Sequence, residues 1–221
     1  MYSHVIHYPN HFVIESDSFV VPFGIRCTSA LACKFATIRK CSLPFDWVFP
    51  LFPNKIQTIL ENNFDDFIPD VHHGIFQNKY DITLTHFNPD INTGVEEYIR
   101  RIERFNTIIH QSKKIYFVFI NEDYLYDEKY RDNEFNDTLF HEMLELERFM
   151  KKKYTTIDYH ILYFNFKQHT IPVDSNIINI VLHTTVYNNY IEEFRLYCAQ
   201  ILAELFNTTL SLGYNEALFH N

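Results

Sequence analysis

The chain has 221 residues and a formal net charge of −9, with 47% hydrophobic and 17% aromatic residues. That much apolar surface excludes intrinsic disorder, and only 4 Gly and 8 Pro exclude a collagen-like or linker-rich chain. The acidic balance argues against a nucleic-acid backbone as the main partner, because such binding depends on excess Lys and Arg.

At roughly 100–200 residues per domain, the length fits one domain over residues 1–221. Met1–Asn10 carries His4, His7 and Pro9 but neither a basic segment nor an apolar run, so no signal peptide is expected. The longest apolar stretches, such as Ile115–Ile120, fall far short of the roughly 20 residues that span a bilayer. The expected location is cytoplasmic, away from membranes, and the sequons at Asn136 and Asn207 are then accidental. The bias to Phe, Tyr, Asn, Ile and Lys is that of an AT-rich genome, such as that of a large virus.

In chain order, Ser18–Phe23 reads as a short buried strand ended by Gly24. From Cys27 to Arg39, Ala30, Leu31, Phe35 and Ile38 recur at helical spacing, and Arg39–Lys40 suits the end of that helix. Pro44, Pro50 and Pro53 make a loop, and a helix follows around Lys55–Asn63. A loop with His72 and His73 leads to a strand at Asp81–His86. Thr93 and Glu96 have capping-box spacing and open a helix with an apolar face of Val95, Tyr98, Ile99, Ile102, Phe105 and Ile109. Ile115–Ile120 is uninterrupted apolar sequence, the pattern of a strand buried on both faces. A helix through Leu139, Met143, Leu146 and Met150 follows, then strands at Ile157–Phe164 and Ile177–Leu182 and a helix at Ile191–Phe206. Such alternation predicts a single layered α/β domain, its sheet largely parallel or mixed and flanked by helices.

In a parallel sheet, functional groups collect at the carboxyl ends of the strands. That rule selects Cys27, His86, Asn121 and His183. Cys27 falls at a helix N-terminus, where unpaired N–H groups and the macrodipole favour a thiolate nucleophile and the same donors suit an oxyanion; the plainer reading is a small buried corner residue. If the strands are parallel, Cys27 and His86 converge on one edge, and a cysteine nucleophile needs an imidazole to take its proton.

The remaining candidates are weaker. Cys33, Cys41 and Cys198 read as packing residues, with no CxxC pair and no disulfide framework. His141-Glu142-x-x-Glu145 lacks the second His of a zinc-protease helix, and Pro9 interrupts the spacing of His4, His7 and His11. Arg100, Arg101 and Arg104 suit an anionic substrate or partner, or a solvated face paired with Glu96, Glu97 and Glu103. No P-loop or GxGxxG supports nucleotide binding.

Several blocks invite comparison with a known family. Phe23-Gly24-Ile25-Arg26-Cys27, Leu43-Pro44-Phe45-Asp46-Trp47, Thr85-His86-Phe87-Asn88, Arg101-Ile102-Glu103-Arg104-Phe105 and Ile115-Tyr116-Phe117-Val118 resemble the successive motifs of a papain-like cysteine peptidase family long catalogued as a domain of unknown function. The resemblance covers about half the chain, residues 18–121. It implies Cys27 as nucleophile, His86 as base, and Asp46, within the shared block, as the residue orienting the imidazole; Asn121 is the alternative at the sheet edge. It also implies a papain-like α+β arrangement with a mostly antiparallel sheet, against the parallel sheet that the alternation predicts. Arg26 stands where the family has a small polar residue, and Asn88 falls in the segment where it has an acidic His-Asp-Phe.

The expected function is therefore cysteine-dependent acyl transfer on a peptide, amide or thioester, without metal or organic cofactor. The alternatives are a non-catalytic scaffold or interaction protein that retains the fold, and a hydrolase or transferase using His183 as base.

Overall fold

The computed structural model describes residues 12–69, 76–122, 128–182 and 191–211. His4, His7, His11, His72, His73 and His183 lie outside them. Among the described residues six strands and five α-helices follow in the order β1 (Ser18–Gly24), α1 (Thr28–Phe35), β2 (Val48–Phe49), α2 (Pro53–Glu61), β3 (Thr83–Leu84), α3 (Ile91–Gln111), β4 (Lys114–Ile120), α4 (Asn133–Lys153), β5 (Asp158–Asn165), β6 (Ile177–Val181) and α5 (Ile191–Phe206). A short 3-10 helix, Glu128–Arg131, precedes α4.

Four strands form one sheet in the order β1-β4-β5-β6, and every pairing in it is parallel. The predicted layered α/β domain is what forms, rather than a mostly antiparallel α+β sheet. The reason is visible in β4, whose Ile115–Ile120 is buried throughout, as expected of a central parallel strand covered on both faces.

The register keeps side chains of like parity on one face: Phe19 pairs with Ile115, and Ile115 with Tyr159. Val21, Phe23, Ile115, Phe117, Phe119, Ile161 and Tyr163 pack with residues of α2, α3 and α4. Val20, Tyr116, Val118, Ile120, Leu162 and Phe164 pack with residues of α1 and α5. Cys33 and Cys198 lie fully buried in this second layer, and all four cysteines are free.

Four local expectations are corrected. The strand expected over Asp81–His86 shrinks to β3, which pairs antiparallel with β2 in a separate two-stranded sheet. The first helix stops at Phe35, because Ala36 caps it and Thr37 turns to φ 58°. The third helix begins at Ile91, before Thr93: the Asp90 carboxylate accepts from the Asn92 N–H at 3.1 Å and caps it. Ile99, expected on its apolar face, is exposed, while Arg101 and Ile108 are buried.

Candidate active site and the cluster beside it

Gly24 sets the turn that delivers Cys27. A Cβ at Gly24 would stand 2.1 Å from Ser29 Oγ and 2.9 Å from Ser29 Cβ. The Ser29 hydroxyl occupies that space and accepts a hydrogen bond from the Ile120 N–H at 3.1 Å, tying α1 to the carboxyl end of β4. Gly24→Ala is expected to cost about 1–3 kcal/mol through overpacking and the lost bond. Urea denaturation checks this; a loss under about 0.5 kcal/mol would mean that Ser29 shifts freely.

Cys27 is the N-cap residue of α1 with helical backbone angles, φ −68° and ψ −7°, and its side chain makes no capping hydrogen bond. Its sulfur accepts instead from Arg195 Nη2 at 3.4 Å. Arg195, on α5, also reaches Thr28 Oγ1 at 3.2 Å and Glu192 at 2.6 Å. Burial pushes the Cys27 thiol above its ordinary value, Arg195 pulls it down, Glu122 raises it further and Arg26 lowers it. Desolvation is the largest of these influences, and the net direction is upward. Arg26 does not sit on the sulfur alone. Its guanidinium lies 3.6 Å from the centre of the Phe49 ring and 3.8 Å from Glu122.

Asn121 and Glu122, directly beyond β4, are both buried. Asn121 donates from its backbone N–H to the Phe164 carbonyl at 2.9 Å and from Nδ2 to Asn136 Oδ1 at 3.4 Å. It joins β4 to β5 and to the start of α4, and it touches no imidazole among the described residues.

His86 and Asp46 belong to a different place. The antiparallel pairing of β2 and β3 carries His86 to Trp47, with ring centres 5.1 Å apart, and Thr85 donates to the Trp47 carbonyl at 2.9 Å. His86 is exposed. Partial burial and the Arg101 charge both hold its pKa below the usual imidazole value. β3 belongs to the two-stranded sheet and not to the parallel sheet of β1, and no hydrogen bond or ring contact joins His86 to Cys27 among the described residues.

Asp46 is fully buried. It pairs with Arg39 and accepts from the Leu43 N–H at 2.8 Å. Burial pushes its carboxyl up, while Arg39, the Leu43 N–H and Arg101 hold it down. Its partners are thus guanidinium and backbone, and it orients no imidazole. Of the Pro-Phe-Asp-Trp block, Pro44, Phe45 and Asp46 are buried but Trp47 only half so.

The Arg run on α3 is not a solvated face. Arg100 is exposed beside Glu96 at 3.6 Å, but Arg101 is buried with Glu97 at 3.7 Å, and Arg104 donates to the Ser42 carbonyl at 2.6 Å. His141, by contrast, does lie on an exposed helical face, 3.6 Å from Glu145.

Sequence reasoning missed Arg195 and Glu122. Arg195 follows Phe194 on the apolar stripe of α5, so a cation there was a signal of an inward-facing partner. Glu122 had none beyond following the strand end.

No helix among the described residues is long and apolar enough to cross a membrane. No group of three or more His, Cys, Asp or Glu side chains there could hold a metal ion. Comparison with protein-family profiles, curated proteins and solved structures finds no match for this chain.

Proposed function

We propose that the protein is a cysteine-dependent acyl-transfer enzyme acting on a peptide, amide or thioester, with Cys27 as nucleophile. The observation that carries this reading is the position of Cys27: half-buried at the start of α1, beyond the carboxyl end of β1, with Arg195 at 3.4 Å from its sulfur. The motif resemblance points to the same residue.

In this reading Glu122, a carboxylate whose charge acts on the thiol, takes the Cys27 proton. The sulfur then attacks the carbonyl carbon, and the carbonyl oxygen becomes an oxyanion facing the unpaired N–H groups of the first turn of α1. Collapse of the tetrahedral adduct breaks the bond to the amine or thiol leaving group, which receives the proton. Water or an acceptor nucleophile then resolves the thioester. Arg195 favours the thiolate in the attacking state.

A second reading, a non-catalytic scaffold on the same fold, is favoured by two observations. Burial pushes the Cys27 thiol pKa up, and His86 and Asp46 contact Trp47 and Arg39.

Turnover on peptide, amide and thioester panels separates the two. Cys27→Ala should abolish activity and Glu122→Gln should lower it, whereas His86→Gln should leave most of it. The wild-type rate should keep rising with pH past the ordinary thiol value of 9.0, because the thiolate forms late. Circular dichroism and melting temperature control for folding. No turnover on any panel by folded wild-type protein would sink the enzyme reading in favour of the scaffold.

A further inference from the structure

The α3 arginines and the Pro-Phe-Asp-Trp block form a polar cluster that the Cys27 chemistry does not use. Arg39 pairs with Asp46 and donates to Ser42 Oγ at 3.0 Å. Arg104 binds the Ser42 carbonyl at 2.6 Å, and the Arg101 guanidinium lies 4.6 Å from the centre of the Tyr98 ring. Arg39 sits 5.6 Å from the Trp47 ring, which meets His86 at 5.1 Å on the exposed side.

The charges do not balance. Three guanidinium groups stand against two carboxylates: Arg39 and Arg101 both act on Asp46, Arg104 is bound to the Ser42 carbonyl, and Glu97 meets Arg101 only at the edge, at 3.7 Å. The hydrogen bonds do not close either. Arg101 Nη1, Arg39 Nε and Asp46 Oδ1 are buried without a hydrogen-bond partner, and the buried Tyr98 hydroxyl has only the Arg101 guanidinium beside it, with Tyr98 and Asp46 1% and 0% exposed. Each such atom destabilises the fold if nothing binds it. Three of the four belong to groups that can donate, and the excess charge is positive. An oxyanion satisfies both shortfalls, since guanidinium forks match carboxylate and phosphate geometry.

We propose that the Arg39–Arg101–Tyr98 cluster, beside Trp47 and His86, binds an oxyanionic ligand group, a phosphate or a carboxylate. The proposal is independent of the Cys27 reading. His86, at the rim, becomes a ligand contact in place of a base.

The protein carries its own reporter, because Trp47 is the single tryptophan. The emission of Trp47 is followed while inorganic phosphate, acetate or sulfate is titrated at constant ionic strength, with chloride as the control. A saturable change with phosphate or acetate, absent with chloride, is expected. The response to the two ligands separates a phosphate site from a carboxylate site. Arg101→Gln should weaken binding about ten- to a hundredfold, the loss of charged hydrogen bonds, and Arg100→Gln should not change it. Should Arg101→Gln fail to fold, Arg101→Lys serves instead: it keeps the charge, loses the fork and should still bind more weakly. No saturable change with any oxyanion, or one indifferent to both Arg101 variants, overturns the proposal. Neither result bears on turnover by Cys27, which is measured separately.

Discussion

Arg39→Met should cost about 3–5 kcal/mol of folding stability at neutral pH, the range for breaking a buried ion pair by removing one partner. Asp46 is fully buried, and its remaining direct contact is the Leu43 N–H. Without Arg39 its carboxyl pKa moves higher still, since burial already pushes it up and Arg39 is the largest influence holding it down. The penalty is present in full above that raised pKa, where folding must keep a carboxylate charged in the interior. It fades as pH falls through it, because the folded state then holds a neutral acid. Urea denaturation from neutral to mildly acidic pH tests both statements. Asp46→Asn in the Arg39→Met background should recover part of the loss. A deficit that stays constant with pH would mean that Asp46 finds another cation.

Phe45→Ala should be equally damaging, at about 3–5 kcal/mol. The ring lies edge-on to Phe23 at 5.2 Å, to Phe105 at 5.7 Å and to Phe67 at 5.8 Å, and it meets Phe64 at 5.4 Å. Removing it empties the point where β1, α3 and the segment after α2 meet, and rings so placed relax poorly into a cavity. Phe45→Leu, which keeps much of the volume, should cost far less. Trp47→Ala, one residue from Asp46, should fall well below Phe45→Ala because Trp47 is only half-buried. If the tryptophan variant proved the more damaging of the two, the block would be anchored by Trp47 and not by Phe45.

The sheet was legible because its signals are local. Ile115–Ile120 has no polar interruption, and strands separated by helix-length segments have few arrangements open to them. What escaped depends on long-range pairing. Placing His86 beside Cys27 assumed that its strand joined the main sheet, yet β3 is two residues long and pairs with β2, which has too few residues to show any period. The Arg run misled for a different reason. Glu96, Glu97 and Glu103 supplied ready partners for a solvated face. Yet Tyr98, Arg101, Phe105 and Ile108 follow the three-and-four spacing of an inward stripe, and Arg101 sits within it. Cys27 was correctly placed at a helix start, but its electrostatics turn on Arg195, a residue of α5 far along the chain.

The strand order has a consequence for synthesis. β1 lies at the edge of the sheet, and its hydrogen-bonded neighbour is β4. The ribosome therefore releases Ser18–Gly24 well before Lys114–Ile120 exists to pair with it. Helix α5, which covers α1 on the outer layer, emerges later still. During translation the apolar segment around Phe19–Phe23 and the turn holding Cys27 stay without their final neighbours, whereas β4, β5 and β6 follow one another and can assemble as they appear. β1 is therefore made before the strand that pairs with it and the helix layer that covers it, and its cover is complete only once α5 has been synthesised.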